Sequence, residues 1–390
     1  MNKVPIYLDG FSTLPLAPEA REAMLSAWEQ PGNAGSANAA GERAAAIVAA
    51  GRAAVAMLIG ASPGEIIFTS GATEANNLAL IGVVKSLRAK GSSRRRVVIS
   101  TIEHKAVMET AASLAASGLE IVLAPVDGAG RLDLSAFAEL VDDSVLIASV
   151  MMVNNETGVI QPVAEAAAIA RANGVLFHCD GAQAAGKVPL DVGNLDVDYL
   201  SLSAHKLYGP MGIGALYVAA GAPLPSALLH GGGQQAGVRP GTEPVALISG
   251  FGAAANLAAA EIDTDADHGR RLVAELLDSL SRRQVRFRSI TAGHAVVPGS
   301  AAILLETVDG DALCSAVARE VSISTGSACT SGQLDTSHVL KAIGLTNTHA
   351  RSVVRIFCNR YNLMHEMEIA AAHIASAAER SRLATGEVRQ

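Results

Sequence analysis

The stretch 201-SLSAHKLYGPMGIGALY-217 decides the fold. It reads as a short Leu/Ser strand, a turn built on Gly209, Pro210 and Gly212, and a second strand opening at Gly214. One lysine, Lys206, follows the first strand, with Ser203 and His205 just before it. A strand this apolar belongs inside a sheet. A lysine is a poor terminus for a buried strand unless its amine is needed there.

Outward from that strand, the chain alternates. Apolar, β-branched runs at 66–70, 97–101, 120–126, 145–153, 175–180, 198–203 and 214–218 are separated by turns and helical stretches at 73–90, 104–117 and 162–173. Strands spaced by helix-length segments imply βαβ units and a mainly parallel sheet buried on both faces. The expected fold class is therefore α/β, a large domain with a seven-stranded, mainly parallel sheet flanked by helices. The Ala-rich segment 245–261 marks a boundary, and the acidic run 261-EIDTDADHGR-270 opens a second region. Helices at 269–283 and 310–320, strands at 301–306 and 351–357, and a C-terminal helix give that region an α+β pattern. The division expected is 15–260 for the large domain, and 1–14 with 261–390 for the small one.

Composition narrows the function. The 390 residues are 50% hydrophobic with a net charge of -7, and Lys and Arg are scattered. Direct nucleic-acid binding needs a concentrated basic face, so it is not expected. The run 94-RRR-96 reads as a solvated loop. No early segment joins a basic start, an apolar run and a cleavage site, and no apolar run of about 20 residues points to a membrane. Cys179, Cys314, Cys329 and Cys358 form no CxxC pair. Free thiols in a reducing cytoplasm are the expectation, without metal.

Seven short stretches carry chemistry, each with an ordinary rival. A desolvated Lys206 amine can lose its proton and attack a carbonyl, whereas a lone lysine is more often a loop residue. Ser203 and His205 beside it are potential phosphate donors, and a phosphate next to an aldehyde-trapping lysine points to pyridoxal phosphate (PLP). In 66-IIFTSGATEANNLAL-80 a strand turns through glycine into a helix. The N–H groups of Gly71, Ala72 and Thr73, with the Thr73 hydroxyl, suit an anion. The rival is a helix capped by Ser70 or Thr73. In 175-VLFHCDGAQAAGKVP-189, Asp180 ends an apolar strand and needs a cationic partner. PLP enzymes place an aspartate on the pyridine nitrogen, and Gln183 is placed to reach the ring hydroxyl. A capping role for Asp180 is the rival, and Cys179 reads as core.

His104 in 102-IEHKAV-107 opens a helix, where it either stacks on a planar ring and moves protons or caps the helix. Asn154, Asn155 and Glu156 break a buried strand at its C-terminal end. Ligands of open α/β sheets lie at such ends, and Asn/Gly turns look the same. Cys329 sits among small polar residues in 322-SISTGSACTSGQLDTSHVL-340, as an exposed reactive thiol must, and an incidental loop cysteine is the rival. Arg355, inside the strand pattern of 351-RSVVRIFCNR-360, can grip a carboxylate with two parallel hydrogen bonds or form a structural ion pair.

In this order the stretches resemble one family, the NifS/IscS-type cysteine desulfurases within the class-V aminotransferase group of fold-type I PLP enzymes. The likeness covers nearly the whole chain and is most specific in SGATEANNLA, NNETGVIQP, DGAQAAGKVP, SAHKLYGPMGIGALY, HGGG…RPGTEP and STGSACTSG. It implies that Lys206 holds PLP covalently and serves as the base. Asp180 would pair with the pyridinium nitrogen, Gln183 with the ring oxygen, and His104 would stack on the ring and transfer protons. Thr73, Ser203 and His205, with Gly71 and Ala72, would hold the phosphate. Thr242 would reach the phosphate of a neighbouring subunit, implying a homodimer. Asn155, beside the cofactor, and Arg355 would bind the carboxylate of L-cysteine. Cys329 would take the sulfur as a persulfide, release L-alanine, and pass the sulfur to an acceptor protein such as an iron–sulfur scaffold. The rivals are another PLP lyase on this scaffold (a selenocysteine lyase or β-elimination) and a degenerate binding subunit.

The chain departs from the family pattern at several points. Gly10-Phe11-Ser12-Thr13-Leu14 replaces an Asn/Ala/Thr-rich segment beside the substrate pocket, and Asn38 stands where His is usual. Gln235-Ala236 stands for Glu-Arg, and Phe357 and Asn359 stand for Ser and Gly. These changes bear on substrate preference, rate and partner.

Overall fold

The computed structural model describes residues 4–326 and 336–384. In chain order the strands are β1 (Ile6–Tyr7), β2 (Ile66–Thr69), β3 (Arg96–Ser100), β4 (Glu120–Ala124), β5 (Val145–Ser149), β6 (Leu176–Asp180), β7 (Tyr199–Ser203), β8 (Gly214–Val218), β9 (Phe287–Ser289), β10 (Ser300–Leu305), β11 (Val321–Ser322) and β12 (Val353–Phe357).

The expected seven-stranded sheet is present, in the order β2-β8-β7-β6-β5-β3-β4. The ladders from β7 through β6, β5 and β3 to β4 are parallel, and β8 runs antiparallel to both its neighbours. Strands β2, β5, β7 and β8 are buried throughout, which is why they read as unbroken apolar runs rather than as alternation. The register brings Asp180 opposite Ser201 and Ser203 opposite Gly214. The C-terminal ends of the strands, where an open α/β sheet keeps its ligand crevice, therefore gather the polar residues singled out above.

The small domain has an antiparallel sheet, β12-β10-β9, and a parallel β1-β11 pair. The N-terminal segment ties the two domains across the site. It enters beside β12, where the Phe357 N–H donates to the Leu8 carbonyl at 2.8 Å. It leaves along the Lys206 turn, where the Leu14 N–H donates to the His205 carbonyl and the Ala17 N–H to the Tyr208 carbonyl, each at 2.9 Å.

One feature differs from the sequence expectation. The segments 245–261 and 269–283 form a single helix, Val245–Arg282, so the acidic run opens no new region and position 260/261 falls inside the helix. Ile248, Phe251, Ala254, Ala255 and Ala258 enter the core beneath the large sheet, whereas Leu272, Leu276 and Leu280 enter the small domain's core. Their three- and four-residue spacing keeps one apolar stripe, while exposed Asp263, Asp267 and Asp278 lie off it. On the stripe itself, between Ala258 and Leu272, Asp265 is half-buried and pairs with Arg360. The helix is also long and apolar enough by composition to cross a membrane, contrary to the expectation of no such run. Its apolar first half is accounted for by packing on the helices Pro18–Trp28 and Ala39–Leu58.

Two sequence departures have structural duties. Asn38 caps the helix Ala39–Leu58, its Oδ1 accepting from the Gly41 N–H at 2.9 Å. Gln235 Oε1 accepts from the Phe68 N–H and from Arg52, each at 3.0 Å, which fastens the Gly-rich loop 230–243 to β2.

Candidate active site

The strand ends enclose a cavity of about 470 Å³, within the roughly 300–1,000 Å³ usual for small-molecule sites. Gly71, Ala72, Thr73, His104, Asn155, Asp180, Gln183, Ser203, His205, Lys206 and Arg355 all line it. One expected residue does not. Thr242 is exposed on the loop 230–243 and is not among the lining residues. Cys329 lies outside the described residues.

Lys206 follows β7 in a short 3-10 turn, and its Nζ donates to the carbonyls of Phe11 at 2.5 Å and Ser12 at 2.7 Å. Asp180 is the last residue of β6; Asn76 donates to its Oδ2 at 2.7 Å and the Ala182 N–H to its Oδ1 at 3.0 Å. No lysine or arginine pairs with Asp180 among the described residues. The Asn76 Oδ1 is buried without a partner.

The helix after β2 starts at Gly71 with no side-chain cap, so neither Ser70 nor Thr73 plays the capping role that rivalled anion binding. Gly71 has φ 153°, a backbone conformation that side chains resist. Glu74 instead accepts from the Ser70 N–H at 2.6 Å and pairs with Arg239.

His104 takes the capping role, and its ring also lines the cavity. Its Nδ1 accepts from the Ala106 N–H at 3.1 Å, capping the helix Lys105–Ala116, while the ring lines the cavity. Burial, helped by nearby Lys206, His338 and Lys105, outweighs Asp180 and lowers its pKa. The ring is therefore neutral near pH 7, and with Nδ1 accepting, the proton sits on Nε2. His205 Nδ1 is 3.1 Å from Thr13 Oγ1, and burial with the two lysines Lys206 and Lys187 lowers its pKa to about 4.

Arg355 is 4% exposed and already occupied. Its guanidinium pairs with Asp9 at 2.9 Å and donates to the Ser12 and Ser324 hydroxyls, each at 2.8 Å, and to the Asn155 carbonyl at 2.8 Å. The ion-pair reading is thus realised; only Nε is buried without a partner. Beneath it lies Phe11, 5.7 Å from the Arg355 guanidinium carbon and 4.9 Å, ring to ring, from Phe357. Two departures from the family pattern therefore pack against each other.

Sequence reading missed five contributors. The carbonyls of Phe11 and Ser12 hold the lysine, and Asn76 orients Asp180. Lys187 is buried beside Gln183, donating to its Oε1 at 3.1 Å. Glu103 is fully buried, and burial raises its pKa to about 8; it accepts from the Ser100 hydroxyl at 2.6 Å and the Met151 N–H at 2.7 Å. A polar residue on an otherwise apolar helix face was the available signal for Asn76, between Ala75 and Leu78.

Glu156, noted only as breaking a strand, brackets the cysteine segment. Its Oε2 accepts from the Ser337 hydroxyl at 2.6 Å, and a Cβ at Gly326 would collide with that oxygen. Burial raises its pKa to about 7. The described cysteines are buried or half-buried: burial pushes the thiols of Cys314 and Cys358 up to about 12, and that of Cys179 up as well.

Known proteins share this layout. The family model for the class-V aminotransferases matches residues 6–369. The chain belongs to that family. A cysteine desulfurase IscS from Anaeromyxobacter sp. (strain Fw109-5) is 41% identical over 372 residues, 94% of this chain and 90% of the relative. A solved NifS-like protein superposes with a TM-score of 0.89 at 32% identity, covering 97% of this chain and 100% of that one. A structure of SspA in complex with cysteine has a TM-score of 0.78 at 32% identity, covering 92% of this chain and 100% of the other.

Class-V aminotransferases are PLP-dependent, and the residues present fit the cofactor. A buried carboxylate with no cationic partner suits a pyridinium nitrogen. The uncapped helix start at Gly71, with Thr73, Ser203 and His205 around it, suits a phosphate. The amine of Lys206 lines the same cavity.

Proposed function

We propose that the protein is a PLP-dependent cysteine desulfurase, converting L-cysteine to L-alanine and collecting the sulfur as a persulfide on Cys329. The observation that carries this reading is the joint presence of Asp180, Lys206 and an uncapped helix start around one cavity. The likeness to desulfurases over nearly the whole chain supports it.

Bound there, the cofactor supplies an electron sink beside the substrate α-carbon. Asp180, held by Asn76 and the Ala182 N–H, keeps its charge directed at the pyridine nitrogen. Lys206 would hold the cofactor covalently and would move the α-proton. Neutral His104 offers its Nε2–H to the substrate side of the cavity. Thr73, Ser203, His205 and the N–H groups of Gly71 and Ala72 would bind the phosphate, and Gln183 would reach the ring oxygen. Asn155 and Arg355 receive the substrate carboxylate, which must share Arg355 with Asp9. The Cys329 thiolate attacks the substrate sulfur, the carbon–sulfur bond breaks, and alanine leaves.

The high thiol pKa values of the other three cysteines leave them poor nucleophiles. We place the enzyme in the cytoplasm as a homodimer, with exposed Thr242 reaching the partner's phosphate site. The persulfide passes to an acceptor protein of iron–sulfur assembly or a related thiolation route.

The test is product analysis. Protein, cysteine and a reductant should yield alanine and sulfide in equal amounts. Pyruvate with ammonia would mean elimination, and colour without turnover a binding subunit. Cys329→Ala should keep the visible cofactor band and lose sulfide release; unchanged sulfide release would remove Cys329 from its role.

A further inference from the structure

Beside the site lies a second lysine to which the reaction assigns nothing. Lys187 is 7% exposed, four residues after Gln183, and its Nζ donates to Gln183 Oε1 at 3.1 Å. Its amine also stands 5.6 Å from the centre of the Phe357 ring. The other end of the Gln183 amide donates from Nε2 to the Phe11 carbonyl at 2.8 Å. That same carbonyl receives Lys206 Nζ at 2.5 Å. The bonds run Lys187 to Gln183 to the Phe11 oxygen, and from there to Lys206.

This chain fixes an amide that could otherwise turn over. Flipped, Gln183 would set its own carbonyl oxygen against that of Phe11 and withdraw the acceptor that the Lys187 amine now has. A buried ammonium with no carboxylate is costly, and burial with the nearby Lys206 lowers the Lys187 pKa well below the ordinary range. In either protonation state the Lys187 amine can donate to Gln183 Oε1.

We propose that Lys187 is a positioning residue: by holding Gln183 with its N–H on the Phe11 oxygen, it sets how much of that oxygen Lys206 can claim. The inference rests on the reading of Lys206 as the cofactor lysine, and on no particular reaction beyond it. When the Lys187–Gln183 link is cut, the amide is freer to leave the Phe11 carbonyl; that oxygen then turns more to the Lys206 nitrogen, and a hydrogen bond to a protonated nitrogen favours that form.

The experiment titrates the visible band of the PLP-loaded full-length protein against pH for wild type, Lys187→Met, Gln183→Ala and the double variant. The midpoint should rise by about one unit in each single variant, and the double should rise no further, because both act through one amide. No shift in Lys187→Met, or shifts that add, would overturn the proposal. If Lys187→Met does not fold by its thermal melt, Lys187→Leu, which also lacks a donor, goes through the same cycle under the same criteria. A wild-type protein that develops no visible band with PLP would instead sink the cofactor reading, so the two failures are distinct.

Discussion

The two walls of the cavity are built on opposite principles. Among the described residues, the large-domain wall leaves polar groups unanswered: Asp180 has no cation, Asn76 Oδ1 has no partner, and the helix start at Gly71 has no side-chain cap. The N-terminal and small-domain wall answers nearly everything internally. Arg355 is spread over Asp9, Ser12, Ser324 and the Asn155 carbonyl, and Phe11 packs on Phe357. Unmet buried polar groups cost stability unless a ligand meets them, so the first wall is made for a permanent occupant. The second wall gives up contacts only when a transient ligand offers better ones.

That contrast can be broken at three points. Asp180→Asn removes the charge and keeps the shape. It should lower kcat by about 10²–10³-fold while the visible cofactor band persists, since a preorganised charge is lost without loss of binding. Retained turnover would make Asp180 an ordinary cap. On the other wall, Phe11→Ala should cost about 3–5 kcal/mol of unfolding free energy, read from denaturant melts. Because Phe11 and Phe357 touch, Phe11→Ala with Phe357→Ala should cost less than the two singly added. Strict additivity would mean that the rings act separately. The smallest effect belongs to Asp9→Asn. With its carboxylate partner gone, Arg355 is freer for a substrate carboxylate, so KM for cysteine should fall by a few-fold while kcat changes little. The variant should melt lower than wild type, and saturating cysteine should recover part of the difference. An unchanged KM would place the cysteine carboxylate away from Arg355.

The large-domain wall was legible because its residues are anomalies. Asp180, Lys206 and Asn155 are polar side chains ending apolar runs, and burial makes such placements expensive enough to mean something. The central strands were legible for the same reason, as unbroken apolar runs. The opposite wall was not. Its contribution to Lys206 comes from the carbonyls of Phe11 and Ser12, and a carbonyl carries no residue identity. These carbonyls lie almost 200 residues away in sequence, so only the fold brings them to the lysine. The helix Val245–Arg282 was misread as two pieces because composition changes midway, although its buried face continues at helical spacing. The helix Ala39–Leu58 went unread because a run rich in alanine shows little contrast between faces.

That long helix has a mechanical consequence. It is seated in one hydrophobic core at its first half and in the other at its second, so it splints the two lobes together. Heat should therefore melt them in one calorimetric peak rather than two. Nicking the backbone at 260/261 would leave each lobe without the buttress it shares with the other.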